Sequence, residues 1–242
     1  MAKQVLIGTS GWSYQHWYDL FYPQDIRSDQ LLEYYAQTFS TVEINNTFYQ
    51  LPRASSVSNW FTRTPNDFIF AVKGSRYLTH IKKLRDSSKG LNNYFSLIDK
   101  LKDKLGPILF QLPPNFPANQ ERLKSFTDQL PQKNKYAFEF RHQSWFSQKT
   151  YDILQGKDIA LCLVNPDKYN STEKITADFI YCRLHGSTVN QGNYRERELD
   201  KLAEKVKKWQ NKVNQVFIYF NNDLQGFAVQ NARYLKDKIN NG

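Results

Sequence analysis

The chain lacks the marks of a disulfide-stapled, membrane-spanning or zinc-built protein. It has two cysteines in 242 residues, Cys162 and Cys182, each inside an apolar run. Buried thiols in a reducing compartment are therefore expected rather than a disulfide, and no zinc knuckle can be drawn. No apolar stretch is long enough to span a bilayer, and the opening MAKQVLIGTSGW lacks the length of a signal core and a polar cleavage site. A soluble, cytoplasmic protein with no membrane partner is the expectation, with a monomer as the default state. No G-x-G-x-x-G follows the first apolar run, and G-x-S-x-G, H-x-H and H-E-x-x-H do not occur. A dinucleotide fingerprint, a nucleophile elbow and a zinc-protease helix are thereby excluded. No linker divides the chain, whose length suits one large domain over residues 1–242.

What is abundant is positive charge. Thirty-three lysines and arginines face 23 acidic residues, a net charge of +10. Such a surplus favours nucleic acid, phosphorylated ligands or anionic surfaces as partners. The charges are spread along the chain, so a solvated basic surface explains them as well.

Short apolar runs at residues 5–7, 41–48, 68–72, 108–112, 159–164, 179–184 and 216–220 read as strands, and residues 135–146 supply the fifth of eight. Helical spacing separates them. Ser28 is placed to cap a helix carrying Leu31, Leu32, Tyr35 and Phe39. Val57, Trp60, Phe61 and Thr64 mark a second helix, and Leu91 to Leu105 a third, stopped by Gly106-Pro107. Asn119 caps a fourth, Tyr151 and Leu154 mark a short one ending at Gly156, and residues 165–177 are weakly helical at best. Leu199 to Val213 and Val229 to Ile239 complete the set. Strand and helix alternating at about 30-residue spacing is the rhythm of an α/β TIM (β/α)8 barrel with a weak or missing sixth helix. An open doubly wound sheet is the rival.

The stretch Lys135 to Phe146, KYAFEFRHQSWF, changes character along its length. Tyr136, Phe138 and Phe140 share one parity, and Ala137, Glu139 and Arg141 the other, so a strand would bury rings on one face and present a carboxylate and a guanidinium on the other. The pattern recurs in Thr41, Glu43 and Asn45; in Ala71, Lys73 and Ser75; in Gln111; in Tyr181, Arg183 and His185; and in Tyr219 and Asn221. In a barrel one parity packs on the helices and the other fills the lumen, so these groups should converge at its C-terminal mouth. They would form either a reactive site or a satisfied polar plug.

The motifs TSGWSY (Thr9 to Tyr14), VEINNTFY (Val42 to Tyr49), FAVKGSRYLTH (Phe70 to His80), FQLPP (Phe110 to Pro114), FEFRHQSWF (Phe138 to Phe146), RLHG (Arg183 to Gly186) and YFNND with GFAVQNA (Tyr219 to Ala232) resemble the YecE-like family of domain-of-unknown-function TIM-barrel proteins. The resemblance covers nearly the whole chain. It implies a TIM barrel distantly similar to sugar isomerases and to endonuclease IV-type phosphodiesterases, and it brings no established activity. Relatives in that family often carry an acidic residue near the end of strand six, where this chain reads Leu163, Val164, Asn165 and Pro166. That departure puts an acid or metal role there in question.

Chemically, Lys73, Arg141 and Arg183 make a mouth suited to an anion, since arginine offers a planar fork and lysine a point charge. Asn45, Gln111, Tyr219, Asn221, Trp12 and His80 are the further candidate ligand contacts. Backbone N–H groups of His185-Gly186-Ser187 and of residues 221–226 stand where barrels often hold phosphate. Glu43, Glu139 and His185 are the candidate proton-moving groups. The same three could ligate a divalent metal, but basic residues crowd the rim, so no cofactor is expected. Ser10 reads as a turn residue, and His16 carries no signal. The expected function is an acid/base site for a small phosphorylated sugar or nucleotide. A phosphodiester hydrolase, and a non-catalytic nucleic-acid or ligand binder with an aromatic, basic rim, are the alternatives.

Overall fold

Alternate residues along the strands sort into two separate apolar layers. In the computed structural model, which describes residues 3–165, 173–187 and 190–240, one layer holds Ile7, Val42, Val72, Phe110, Phe138 and Ile218 against the helices. The other holds Leu6, Ala71, Leu109, Ala137, Tyr181, Phe217 and Tyr219. A parallel sheet covered on both faces produces this division. The second layer is the lumen of a (β/α)8 barrel, where small side chains from some strands make room for rings from others.

The strands are β1 (Gln4–Thr9), β2 (Thr41–Ile44), β3 (Ile69–Lys73), β4 (Leu105–Gln111), β5 (Tyr136–Glu139), β6 (Ala160–Leu161), β7 (Leu163–Val164), β8 (Phe179–Leu184) and β9 (Gln215–Phe220). They form two parallel arcs, β1-β9-β8-β7 and β2-β3-β4-β5-β6. Strands β6 and β7 are halves of one stave divided at Cys162: the first pairs with β5 and the second with β8, so a single segment joins the arcs. Cys162 belongs to the lumen layer and Cys182 to the helix-facing one; both thiols are free and buried.

At the other seam the ladder shrinks to one bridge between Ser10 and Glu43, with Gly11 N donating to Glu43 O across 2.8 Å. Tyr35, on α1 (Leu31–Thr38), replaces the missing rung. Its hydroxyl accepts from Thr9 N at 2.9 Å and donates to Thr41 O at 3.1 Å. Gly8 permits the close approach, because a Cβ there would stand 2.2 Å from the Thr41 carbonyl oxygen.

Helices α3 (Ala54–Thr62), α4 (Ser88–Ile98), α5 (Gln120–Thr127), α6 (Gln148–Gln155), α7 (Glu196–Gln210) and α8 (Phe227–Asn240) lie where periodicity puts them. Asn119 caps α5 by accepting from Arg122 N, and Gly156 follows α6. Four local readings change. Ser28 opens a 3₁₀ turn instead of capping α1, which starts at Leu31. Strand β2 stops at Ile44, since Thr47 Oγ1 donates to Lys73 O across 2.7 Å and turns the chain into the short helix α2 (Asn46–Tyr49). Gly106-Pro107 lies inside β4 and does not end a helix. The register against β3 shifts there, from Phe70 opposite Leu105 to Val72 opposite Ile108. Such a bulge accommodates a proline that cannot donate to the ladder. The polar segment after β3 contains a π-helical turn, Tyr77–Ile81. Of the weakly helical stretch 165–177, residues 166–172 lie outside the described residues, and no helix occupies the rest. Among the described residues no helix is long and apolar enough to cross a membrane.

Candidate functional site

The polar lumen residues meet at the C-terminal ends of their strands. Glu43 on β2 and Glu139 on β5 are fully buried, and Arg183 on β8 is 1 % exposed. Arg183 Nη2 and Nε donate to Glu43 Oε1 at 2.9 and 3.2 Å, while Nη1 donates to Glu139 Oε2 at 2.7 Å. Further donors reach both carboxylates. Ser10 Oγ donates to Glu43 Oε1 at 2.7 Å and Tyr181 OH to Oε2 at 2.6 Å; Gln111 Nε2 and Arg141 Nε donate to Glu139 Oε1 at 2.8 and 2.5 Å. Buried charges are tolerated only when matched in this manner.

Burial alone would raise both carboxyls. At Glu43 the Arg183 guanidinium, with Tyr181, Ser10 and Lys73, outweighs burial and holds the group below its ordinary value; at Glu139 the arginines 183 and 141 do the same. Both carboxylates are thus ionised acceptors. Burial also raises Tyr181, which stays protonated as a donor.

Lys73, at the end of β3, is 8 % exposed. Its Nζ lies 4.2 Å from the centroid of the Phe48 ring, and among the described residues it makes no hydrogen bond or ion pair. Burial, with Arg183 and Arg141 nearby, brings the amine down to about 8 against the pull of Glu43 and Glu139. His185 Nε2 lies 3.8 Å from Glu139 Oε1 and 3.5 Å from Arg141 Nη2, and Asn221 Nδ2 is 3.0 Å from His185 Nδ1. Burial lowers His185 to about 4, the arginines adding to it and Glu139 opposing, so the ring is neutral near pH 7.

The cup therefore gathers Glu43, Glu139, Arg183, Arg141, Gln111, His185, Asn221 and Lys73. His80 adjoins it: its ring meets Phe48 edge to face at 4.9 Å, and burial with Lys73 and Arg76 lowers it to about 4. Asn45 has a buried Oδ1 without a partner among the described residues. Two candidates stand apart. Tyr219 is fully buried and its hydroxyl is 2.7 Å from Thr41 Oγ1 within the lumen; half-buried Trp12 packs edge to face on Trp60. Gly186 N already donates to Tyr194 OH at 2.9 Å, so that amide is engaged in holding its loop.

Sequence reasoning missed Ser10 and Asp223. The signal for Ser10 was parity, since it continues Leu6 and Gly8 on the lumen face of β1. Asp223 accepts from Trp17 Nε1 at 2.7 Å and pairs with His16 at 2.9 Å, and burial raises its carboxyl. Nothing in the spacing joins two residues so far apart in the chain. Among the described residues no three His, Cys, Asp or Glu side chains come together as a metal set.

With this geometry in place, the relatives can be compared. The chain matches the family described as "Protein of unknown function DUF72" over residues 6–242. The UPF0759 protein YecE of Escherichia coli strain K12 is 32 % identical over 145 residues, 60 % of this chain and 51 % of YecE, so the match spans about half the length of that relative. The UPF0759 protein YunF of Bacillus subtilis strain 168 is 26 % identical across 97 % of this chain and 94 % of YunF. The crystal structure of a DUF72 family protein from Thermotoga maritima superposes with a TM-score of 0.88 at 30 % identity, covering 98 % of this chain and 99 % of the other. A family match over nearly the whole length, with the same barrel in a solved relative, places this chain in the DUF72 family.

Proposed function

We propose that the C-terminal mouth of the barrel binds a small anionic ligand, a phosphorylated sugar or nucleotide, and transforms it by acid/base chemistry. The observation that carries this reading is Lys73, a nearly buried lysine without an ion-pair partner among the described residues. A desolvated ammonium is unfavourable, and an anion bound against it relieves the cost. Arg141, its side chain 20 % exposed, supplies a guanidinium at the rim, and neutral His185 stands beside it as a group able to exchange a proton. In this reading Arg183 with Glu43 and Glu139 forms the fixed floor, and the proton-moving groups are Lys73 and His185.

A thermal-shift and turnover screen with sugar phosphates and nucleotides tests the proposal, since a ligand of the folded state raises its stability by mass action. Binding should be lost in Lys73→Ala. Equal and negligible shifts for wild type and Lys73→Ala would refute it.

A second reading, a surface for single-stranded nucleic acid, is supported by Tyr49 at the end of α2 and Tyr77 in the π-helical turn, 79 % and 44 % exposed, with Lys82 Nζ 5.9 Å from the Tyr77 ring centroid. Affinity for an oligonucleotide would then fall steeply with salt and with removal of either ring.

A further inference from the structure

We infer that Lys73 forms an imine with the carbonyl carbon of a small aldehyde or ketone that also carries a phosphate or carboxylate. The inference rests on the anion-binding reading and names its substrate class and nucleophile: the anionic group of the substrate sits on the Arg141 guanidinium at the rim, and its carbonyl carbon faces the Lys73 amine, which attacks as the free base. Charge balance does not require this lysine. Glu43 and Glu139 lie in the same cup, but they are hydrogen-bonded by Ser10, Tyr181, Gln111 and the two arginines, and among the described residues the amine pairs with neither and lies against the face of Phe48. The backbone beneath it is fixed by Thr47 Oγ1 donating to Lys73 O. An amine that is desolvated, unpaired and beside other cations is an activated nucleophile. At neutral pH a lysine lowered to about 8 presents roughly a hundredfold more free base than an ordinary one.

The step balances without any further reactant. The Nζ lone pair forms the C–N bond as the carbonyl π pair moves to oxygen. One ammonium proton leaves through solvent and one returns to the oxygen, giving the carbinolamine. The C–O bond then breaks, its pair departs with a proton as water, and the nitrogen pair closes C=N. The protonated imine is an electron sink for breaking an adjacent C–H or C–C bond.

Wild-type protein is incubated at neutral pH with sodium cyanoborohydride and either pyruvate or dihydroxyacetone phosphate, and adducts are located by peptide mass mapping. Lys73 should be modified at least about tenfold faster than exposed lysines such as Lys124 and Lys133, and inorganic phosphate should slow Lys73 alone. The better of the two probes tells carboxylate from phosphate. Lys73→Arg should lose the adduct and keep stabilisation by phosphate. Modification of Lys73 no faster than of surface lysines overturns the inference. If phosphate still raises the melting temperature in those samples, the anion site survives; if it does not, both readings fall. Preferential modification without phosphate stabilisation would leave Lys73 a reactive amine and overturn the anionic substrate class together with the anion site.

Discussion

Two nitrogens of Arg183 close on one oxygen of Glu43, Nη2 at 2.9 Å and Nε at 3.2 Å, from strands β8 and β2, which are not neighbours in either arc. The third, Nη1, crosses to Glu139 on β5. A single guanidinium thus ties three staves together across the lumen. Its removal would leave two carboxylates buried with fewer partners.

Arg183→Met is therefore expected to cost about 3–5 kcal/mol, the penalty for breaking a buried ion pair from one side. Adding Glu43→Gln and Glu139→Gln should recover part of that loss. Urea unfolding of the single and triple variants provides the comparison, and a single variant as stable as wild type would show that the triad does not brace the barrel.

Acid should unfold the protein through the same carboxylates. Burial is outweighed by Arg183 and the other donors, so both groups titrate below the ordinary 4.5 when folded. A folded value below the unfolded one gives stability that is complete above the unfolded value and lost as pH falls through the folded one. Urea midpoints should hold between about pH 7 and pH 5 and decline below about 4.5. The Glu43→Gln, Glu139→Gln variant should start lower and decline less.

Anion binding should be linked to protonation of Lys73, which faces Arg183, Glu43, Glu139 and Arg141. Folded Lys73 releases its proton near 8 and an unfolded lysine near 10.5, so between these values the unfolded chain holds more protons and stability rises with pH. A phosphate against the amine reverses the shift. Calorimetry at about pH 8.5 in buffers of different ionisation enthalpy should show uptake of about half a proton or more per phosphate bound. Lys73→Gln should show none.

Tyr35→Phe should destabilise by about 1–3 kcal/mol, because it leaves Thr9 N and Thr41 O unpaired where the ladder is interrupted. Gly8→Val should be worse, since its Cβ meets the Thr41 carbonyl oxygen directly. Thermal melts rank the two, and a neutral Tyr35→Phe would mean that water takes the hydroxyl's place.

The barrel and the direction of its polar side chains were legible in the sequence because they depend on strand alternation, a local property. Ala137, Glu139 and Arg141 announce a lumen face whatever surrounds them, and Tyr181, Arg183 and His185 repeat the message. Features set by a neighbouring strand were not legible. Gly106-Pro107 reads locally as a stop, yet a bulge against β3 admits it into β4. Ser10 reads as a turn residue, yet the β1–β2 seam aims it at Glu43. Tyr219 has the correct parity but sits where Thr41 takes its hydroxyl inside the lumen.

The sequence by itself determined which groups would face inward, since parity is written into each strand. Only the tertiary structure decided how they divide the work, because pairing depends on height and register across strands far apart in the chain. Arg183 was drawn to both carboxylates, with Ser10, Tyr181, Gln111 and Arg141 as their other donors, and Lys73 was left buried with its amine unclaimed among the described residues. No count of charges along the chain contains that difference.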